Sequence, residues 1–145
     1  MAELHPRNNL NLCLSGGMMA LLSLVFTHES EQVRRSVCAL LSSVMQNNRQ
    51  VQEFASKSGI SNLVGQFDRE TNIDVKNSVF SSLAAWLKAD NFEGKRRFLS
   101  EHQGLDFLAR LVSEAAAEDS FNAKLRLNVH RLVQDFVLND DGIFE

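Results

Sequence analysis

The chain has 145 residues, an apolar fraction of 44% and a formal charge of −3 with a pI near 5.8. This composition suits one globular domain and excludes both a disordered chain and a protein whose main partner is nucleic acid, which needs a basic face to displace counterions. One proline and seven glycines leave long helices almost uninterrupted. No run of alternating β-branched residues bounded by hairpin turns is present, so the expected class is all-α. No apolar segment is expected to reach the roughly 18–20 residues needed to cross a bilayer. The densest, Met18–Phe26, reads as a buried helix, and Met1–Leu14 lacks the apolar centre of a secretory signal.

In chain order, Met1–Asn8 reads as a lead-in, with Pro6 tolerated at the front of a helix because the first turn has no intrahelical donor to lose. Leu10–Leu14 is a short first helix and Gly16-Gly17 a boundary. Met18, Leu21, Leu22 and Val25 then mark a second helix, and Val33, Val37, Leu41 and Val44 a long third one, with Cys38 as a small buried residue beside the stripe. The grammar recurs. Asn47–Ser58 is a short helix with Val51, Phe54 and Ala55 on one side, ended by Gly59 in a left-handed cap. Ile60, Leu63, Val64 and Phe67 follow at helical spacing, Asp68–Asn72 breaks the pattern, and Ile73–Ala89 carries Val75, Val79, Leu83 and the lone Trp86, with Asp74 as the expected N-cap. After Gly104 come Leu105, Leu108, Ala109 and Val112, an Ala115–Ala117 run that lengthens this helix, a longer loop, and a last helix with Leu125, Val129, Val133 and Phe136.

Three copies of glycine, apolar, two free positions, Leu, apolar, two free positions, apolar stand in register, on glycines 42 and 45 residues apart. That spacing falls in the roughly 40–47 residue period of armadillo and HEAT arrays. The expected architecture is a right-handed armadillo/HEAT-like solenoid of about three repeats, near residues 8–46, 47–90 and 91–140, in a single domain covering 1–145. Neither end carries a polar capping helix, and Ile143 and Phe144 follow the last helix, so a fragment of a longer array is expected.

Catalytic constellations are not found. His5, His28, His102 and His130 are scattered without metal-ligand spacing, and there is no nucleophile elbow, phosphate loop or paired-cysteine motif. Glu29, Glu31, Asp68 and Glu70 precede long helices, where negative charge favours the N-terminus. Lys95-Arg96-Arg97 reads as solvated surface. An enzyme, a metal and a cofactor are not expected. What the pattern offers is a ladder on the third helices: Arg35, Ala39 and Ser43 on the first rung, Asn77, Ser81 and Ala85 on the second, Leu127 or Asn128, Arg131 and Asp135 on the third. The first two rungs are small and mostly neutral. The third is charged, and Arg131 and Asp135 have the i, i+4 spacing of an internal pair. Arg110, on a second helix, is expected to face away from the ladder.

The run Val44-Met45-Gln46-Asn47-Asn48-Arg49-Gln50-Val51-Gln52, then Gly59, then Val79-Phe80-Ser81-Ser82-Leu83, resembles the armadillo-type nucleotide-exchange factors of 70-kDa heat-shock chaperones. That family includes cytosolic heat-shock-protein-binding and Fes-type members and the Sil type of the endoplasmic reticulum. Phe98-Leu99 with Gly104-Leu105 and Leu108 is similar to another segment of the family, and Leu132-Val133-Gln134-Asp135-Phe136-Val137 is closer to the Sil type; the likeness spans about Asn9–Phe144. It implies a monomeric co-chaperone whose concave face, with Arg35, Ser43, Asn77, Ser81, Asn128, Arg131 and Asp135, binds the ATPase domain of a BiP-like chaperone and promotes ADP release. It implies no nucleic-acid or membrane partner. The compartment would be the endoplasmic reticulum lumen where a precursor carries a signal peptide, or otherwise the cytoplasm. The alternative is an armadillo scaffold for an extended peptide, whose grooves use a Trp and an Asn on each third helix. Those positions hold Ala39 and Ser43, Ser81 and Ala85, Arg131 and Asp135.

Overall fold

A computed structural model of the chain describes residues 6–88, 91–101, 103–117 and 122–138, and every regular element among the described residues is helical. His5, His102, the loop at 118–121 and the Ile143-Phe144 end lie outside them. The helices are α1 (Pro6–Leu12), α2 (Met18–Thr27), α3 (Glu31–Met45), α4 (Arg49–Lys57), α5 (Leu63–Arg69), α6 (Ile73–Leu87), α7 (Phe92–Glu101), α8 (Gly104–Ala117) and α9 (Ala123–Leu138). A wide helical turn at Cys13–Gly17 joins α1 to α2, and a 3₁₀ turn at Ile60–Asn62 leads into α5. The same packing recurs along the chain. α2 lies on α3, α5 on α6 and α8 on α9, while the third helices pack in the order α3, α6, α9 and the first helices in the order α1, α4, α7.

Each third helix starts on a short polar side chain that accepts from backbone N–H groups otherwise left without partners. Ser30 Oγ takes Val33 N, Asn72 Oδ1 takes Asp74 N and Val75 N, and Asn122 Oδ1 takes Leu125 N. Asn72 rather than Asp74 is therefore the cap of α6, and Asp74 sits in its first turn. The first helices α4 and α7 are capped alike by Asn48 and Asn91. A basic residue four positions after each third-helix cap reaches back to the element before it. Arg34 donates to His28 O and Glu29 O, Lys76 lies 4.4 Å from the Phe67 ring, and Arg126 donates to Ala115 O.

The third repeat is in a different register from the one read on glycines. Left-handed backbone occurs at Gly16 (φ +97), Gly59 (φ +86) and Gln103 (φ +49), so the conformational equivalents of Gly59 are Gly16, one residue before the expected Gly17, and Gln103, 44 residues on. Gly104 is needed for another reason: a Cβ there would lie 2.6 Å from the Phe98 ring. The buried face of α8 is accordingly Phe107, Leu108, Leu111 and Ala115, while Leu105 is 54% exposed and Ala109 is on the surface. In the first two repeats the expected stripes do face inward, with Met18, Leu22, Val25, Ile60, Leu63, Val64 and Phe67 buried.

Five aromatic rings run through the second and third repeats as one chain of contacts. Phe80, Phe67, Phe107, Phe98 and Phe136 follow one another at centroid distances of 6.0, 5.7, 6.0 and 5.9 Å. Such tilted pairs each add about 0.5–1.5 kcal/mol beyond area burial. Trp86 is fully buried and donates to Ser56 Oγ at 2.8 Å. Lys95 is not solvated as expected: it is 1% exposed, with Nζ 5.8 Å from the Phe92 and Phe136 rings, so its stem and ammonium fill the seam between α7 and α9. Of its neighbours Arg96 is exposed and Arg97 donates to Ser56 O.

The C-terminal end of α5 links its repeat to both neighbours. Glu70, 5% exposed, accepts two hydrogen bonds of 2.8 Å from Arg34 of the preceding repeat, and Asp68 accepts one of 2.8 Å from Arg110 of the following one. These carboxylates are thus counterions between repeats rather than helix-dipole partners. At the N-terminal end, the run Arg7–Thr27 contains an 18-residue window with a mean hydropathy of 1.7, of which 22% is buried, so by length and composition it could cross a membrane, contrary to the expectation from Met18–Phe26 alone. Gly16 at φ +97 interrupts it, and α2 packs on α3. Leu14 and Met19 are more than half exposed.

Two substitutions separate the registers for α8. Leu111→Ala should lower stability by about 2–5 kcal/mol, as buried Leu truncations do, while Leu105→Ala should stay within about 0.5 kcal/mol as a surface change. Urea unfolding reads both, and equal costs would restore the glycine-anchored register. The two inter-repeat ion pairs should differ as much. Arg34→Ala strands the buried Glu70 and should cost roughly 3 kcal/mol. Arg110→Ala, at a pair with both side chains over 40% exposed, should cost under about 1 kcal/mol.

Candidate functional site

The stacked third helices leave a groove along one side. One part, of about 490 Å³, is lined by residues that include Ser42, Ser81, Ala85, Asn128, Arg131 and Asp135. A second part of about 620 Å³ continues it past Arg35, Ala39 and Ser78 to Lys124, and the two share Ser42 and Ser81. The floor is shallow in side-chain height because Ser, Ala and Ser alternate where α3 meets α6. Ser82 Oγ, fully buried, donates to Cys38 O at 2.9 Å and lies 3.3 Å from Ser42 Oγ, so two small residues let the helix backbones approach.

The residues expected on the ladder divide into three groups. Arg35, Ser81, Asn128, Arg131 and Asp135 line the groove. Ser43 is half-buried beside it and does not line it. Asn77 is 4% exposed and spends its amide internally: its Oδ1 accepts from Asn128 Nδ2 at 3.1 Å and its Nδ2 donates to Asn122 Oδ1 at 3.4 Å, tying α6 to α9. Leu127 is exposed, and Asn128 takes the lining position on the third rung.

Lys88, Lys124, Gln46 and Gln134 also line the groove and were not read from the sequence. For Lys124, Gln46 and Lys88 the signal was there, since extending each rung by one helical turn reaches Gln32, Asp74 and Lys124 on one side and Gln46 and Lys88 on the other, while Gln134 stands three positions after Arg131 on the third rung itself. Arg110 is not among the groove-lining residues; its guanidinium instead pairs with Asp68 and Glu114 and sits 5.3 Å from the Phe107 ring.

The Gln46-Asn47-Asn48 run has a local structural explanation. Asn47 takes a left-handed conformation (φ +55), Asn48 caps α4, and Gln52, 3% exposed, donates to Ala85 O at 2.8 Å. Asn tolerates left-handed backbone and caps helices for the same reason, a short side chain that bonds nearby backbone. Of that run, Gln46 alone faces the groove.

Among the described residues no three His, Cys, Asp or Glu side chains gather closely enough to hold a metal ion. His28 accepts from Ser30 N through Nδ1, and His130 is exposed on α9. Cys13 and Cys38 are buried free thiols. Burial raises both thiol pKa values, pushing Cys38 up to about 11, the opposite of what a nucleophilic cysteine needs. Comparison with family models, with characterised proteins and with solved structures finds no match to this chain.

A thiol whose folded pKa lies above its unfolded value of about 8.5 contributes its full stabilisation below that value. The contribution is lost as pH rises towards the folded value of about 11. The urea midpoint should therefore drop across this alkaline interval, with a smaller drop in Cys38→Ala. At pH 8 neither thiol of the native protein should react with a maleimide, and both should react in urea. Rapid native labelling of Cys38 would show that the seam between α3 and α6 opens.

Proposed function

We propose that the chain is an armadillo-type right-handed solenoid segment whose third-helix groove grips one lobe of the ATPase domain of a 70-kDa heat-shock chaperone and thereby promotes ADP release. The observation that carries the reading is the groove itself, with small neutral side chains on the α3 and α6 rungs and a charged rung of Arg131 and Asp135 on α9. The likeness of the 44–52 and 132–137 runs to the armadillo-type exchange factors supplies the partner, and Leu132, Gln134 and Asp135 of the second run line the groove. A peptide scaffold is the weaker reading. It needs an exposed Trp on the ladder, and Trp86 is buried with its N–H bonded to Ser56.

The mechanism requires no contact between this chain and nucleotide. A factor that binds the opened arrangement of the lobes better than the closed one shifts the chaperone towards the opened state by its difference in affinity. Linkage then requires that bound nucleotide weakens the factor by the same ratio. The side chains of the groove have one task, to distinguish two lobe geometries. The compartment follows from which chaperone responds, a BiP-like one of the endoplasmic reticulum or a cytoplasmic one.

The test is release of labelled ADP from cytoplasmic and BiP-like ATPase domains. The chain should speed release from one of them. Arg131→Glu with Asp135→Arg inverts the charge order on the third rung while leaving the total charge and the spacing unchanged, so helicity should hold and acceleration should fall by about tenfold. Arg96→Glu, exposed on α7 away from the groove, should match wild type. No acceleration with either domain would remove the exchange-factor reading. A double variant that behaves like Arg96→Glu would move the binding face elsewhere.

A further inference from the structure

We infer that the groove is built for an acidic polypeptide surface. The chain as a whole carries −3, yet the charged residues lining the two joined parts of the groove are Arg35, Lys124, Lys88 and Arg131 against the single carboxylate of Asp135. The lining is net +3, which leaves −6 on the rest of the molecule. All four cations are exposed. They stand on both sides of a low floor of Ser42, Ser81 and Ala85, Arg35 and Lys124 around one part and Lys88 and Arg131 around the other. A cleft of one sign between low-dielectric walls concentrates field and raises the local concentration of an oppositely charged partner. The cationic lining ends beside the start of α6, where Glu31 and Asp74 share a smaller recess with Arg35, so the acidic stretch of a partner is directed towards Lys88 and Arg131.

The charge pattern favours polypeptide over nucleic acid. Single-stranded nucleic acid binds through aromatic platforms as well as cations. Among the described residues no aromatic ring lines either part of the groove, whose floor is Ser and Ala, and Trp86, Phe67, Phe80, Phe98 and Phe136 are buried in the core. Four cations on an otherwise acidic molecule also supply little counterion release. Small hydroxyl and methyl side chains instead suit the close approach of a helix or extended segment that presents carboxylates at its edges.

This inference rests on the same groove as the proposed exchange function but not on the identity of the partner, so it is tested without the chaperone. A fluorescein-labelled short peptide alternating Glu with Ala is titrated with the chain and followed by anisotropy, beside a Lys-Ala peptide and a single-stranded oligonucleotide of equal length. The Glu-Ala peptide should bind, more weakly as salt is raised, and Lys88→Glu with Arg131→Glu should weaken it by about tenfold or more. Circular dichroism checks that this surface variant keeps its helices, and Arg96→Glu should bind as wild type does. Absence of binding, equal binding of the Lys-Ala peptide, or an unaffected double variant would overturn the inference. Tighter binding of the oligonucleotide would overturn the choice of polypeptide. Peptide binding without ADP release removes only the exchange function, and ADP release without peptide binding removes only the acidic-partner inference.

Discussion

The close approach of α3 and α6 is the constraint on which the other features depend. Ser82 hands its hydroxyl to the Cys38 carbonyl from a position with no solvent exposure, and Ser42 meets it from the facing helix. A larger side chain at either serine would separate the helices, and an apolar one would leave the geometry to packing alone. Because the helices are close, the residues one step around them, Ser81, Ala85 and Ala39, form a floor instead of a wall. The groove is the outer side of the same small-residue seam.

Cohesion along the chain is divided between two kinds of contact. Apolar burial and the ring series from Phe80 to Phe136 hold the second and third repeats together without directional demands beyond ring tilt. Polar contacts set the register: Glu70 receives Arg34 at 2.8 Å, Gln52 reaches Ala85 O, and the amides of Asn128, Asn77 and Asn122 run from α9 to α6 and back. A slip of one residue would break each of these while costing the apolar stripes less. Buried polar groups are expensive to leave unpaired, so they choose among packings that burial alone would leave close in energy.

The proposed activity uses this division. A partner lobe meets a surface whose shape comes from the serine seam and whose charge comes from long side chains at its rim. Those cations can be altered with little effect on the fold, because each is exposed and the helices that carry or end at them are held from the opposite face. In that proposal the surface itself would be the working part, and the chain need supply no catalytic group.

Much of the fold was legible in the residues because helices announce themselves locally. Apolar spacing over Val33–Val44, Ile60–Phe67 and Val75–Trp86 identifies the buried faces correctly, since a helix of period 3.6 has one way to turn such a stripe inward. The glycine at 59 is legible for an equally local reason, the absence of a Cβ in left-handed backbone. Three things were decided by tertiary structure. Gly104 looks like Gly59 in sequence, but it is glycine because the Phe98 ring lies against it, and a contact between helices leaves no local trace. Glu70, Asn77 and Lys95 read as surface residues, yet each is buried by a partner more than 35 positions away in the chain: Arg34, Asn122 and the Phe136 ring. The net charge of −3 conceals a cationic groove, because composition adds charges that only the stacking of α3, α6 and α9 sorts to one side.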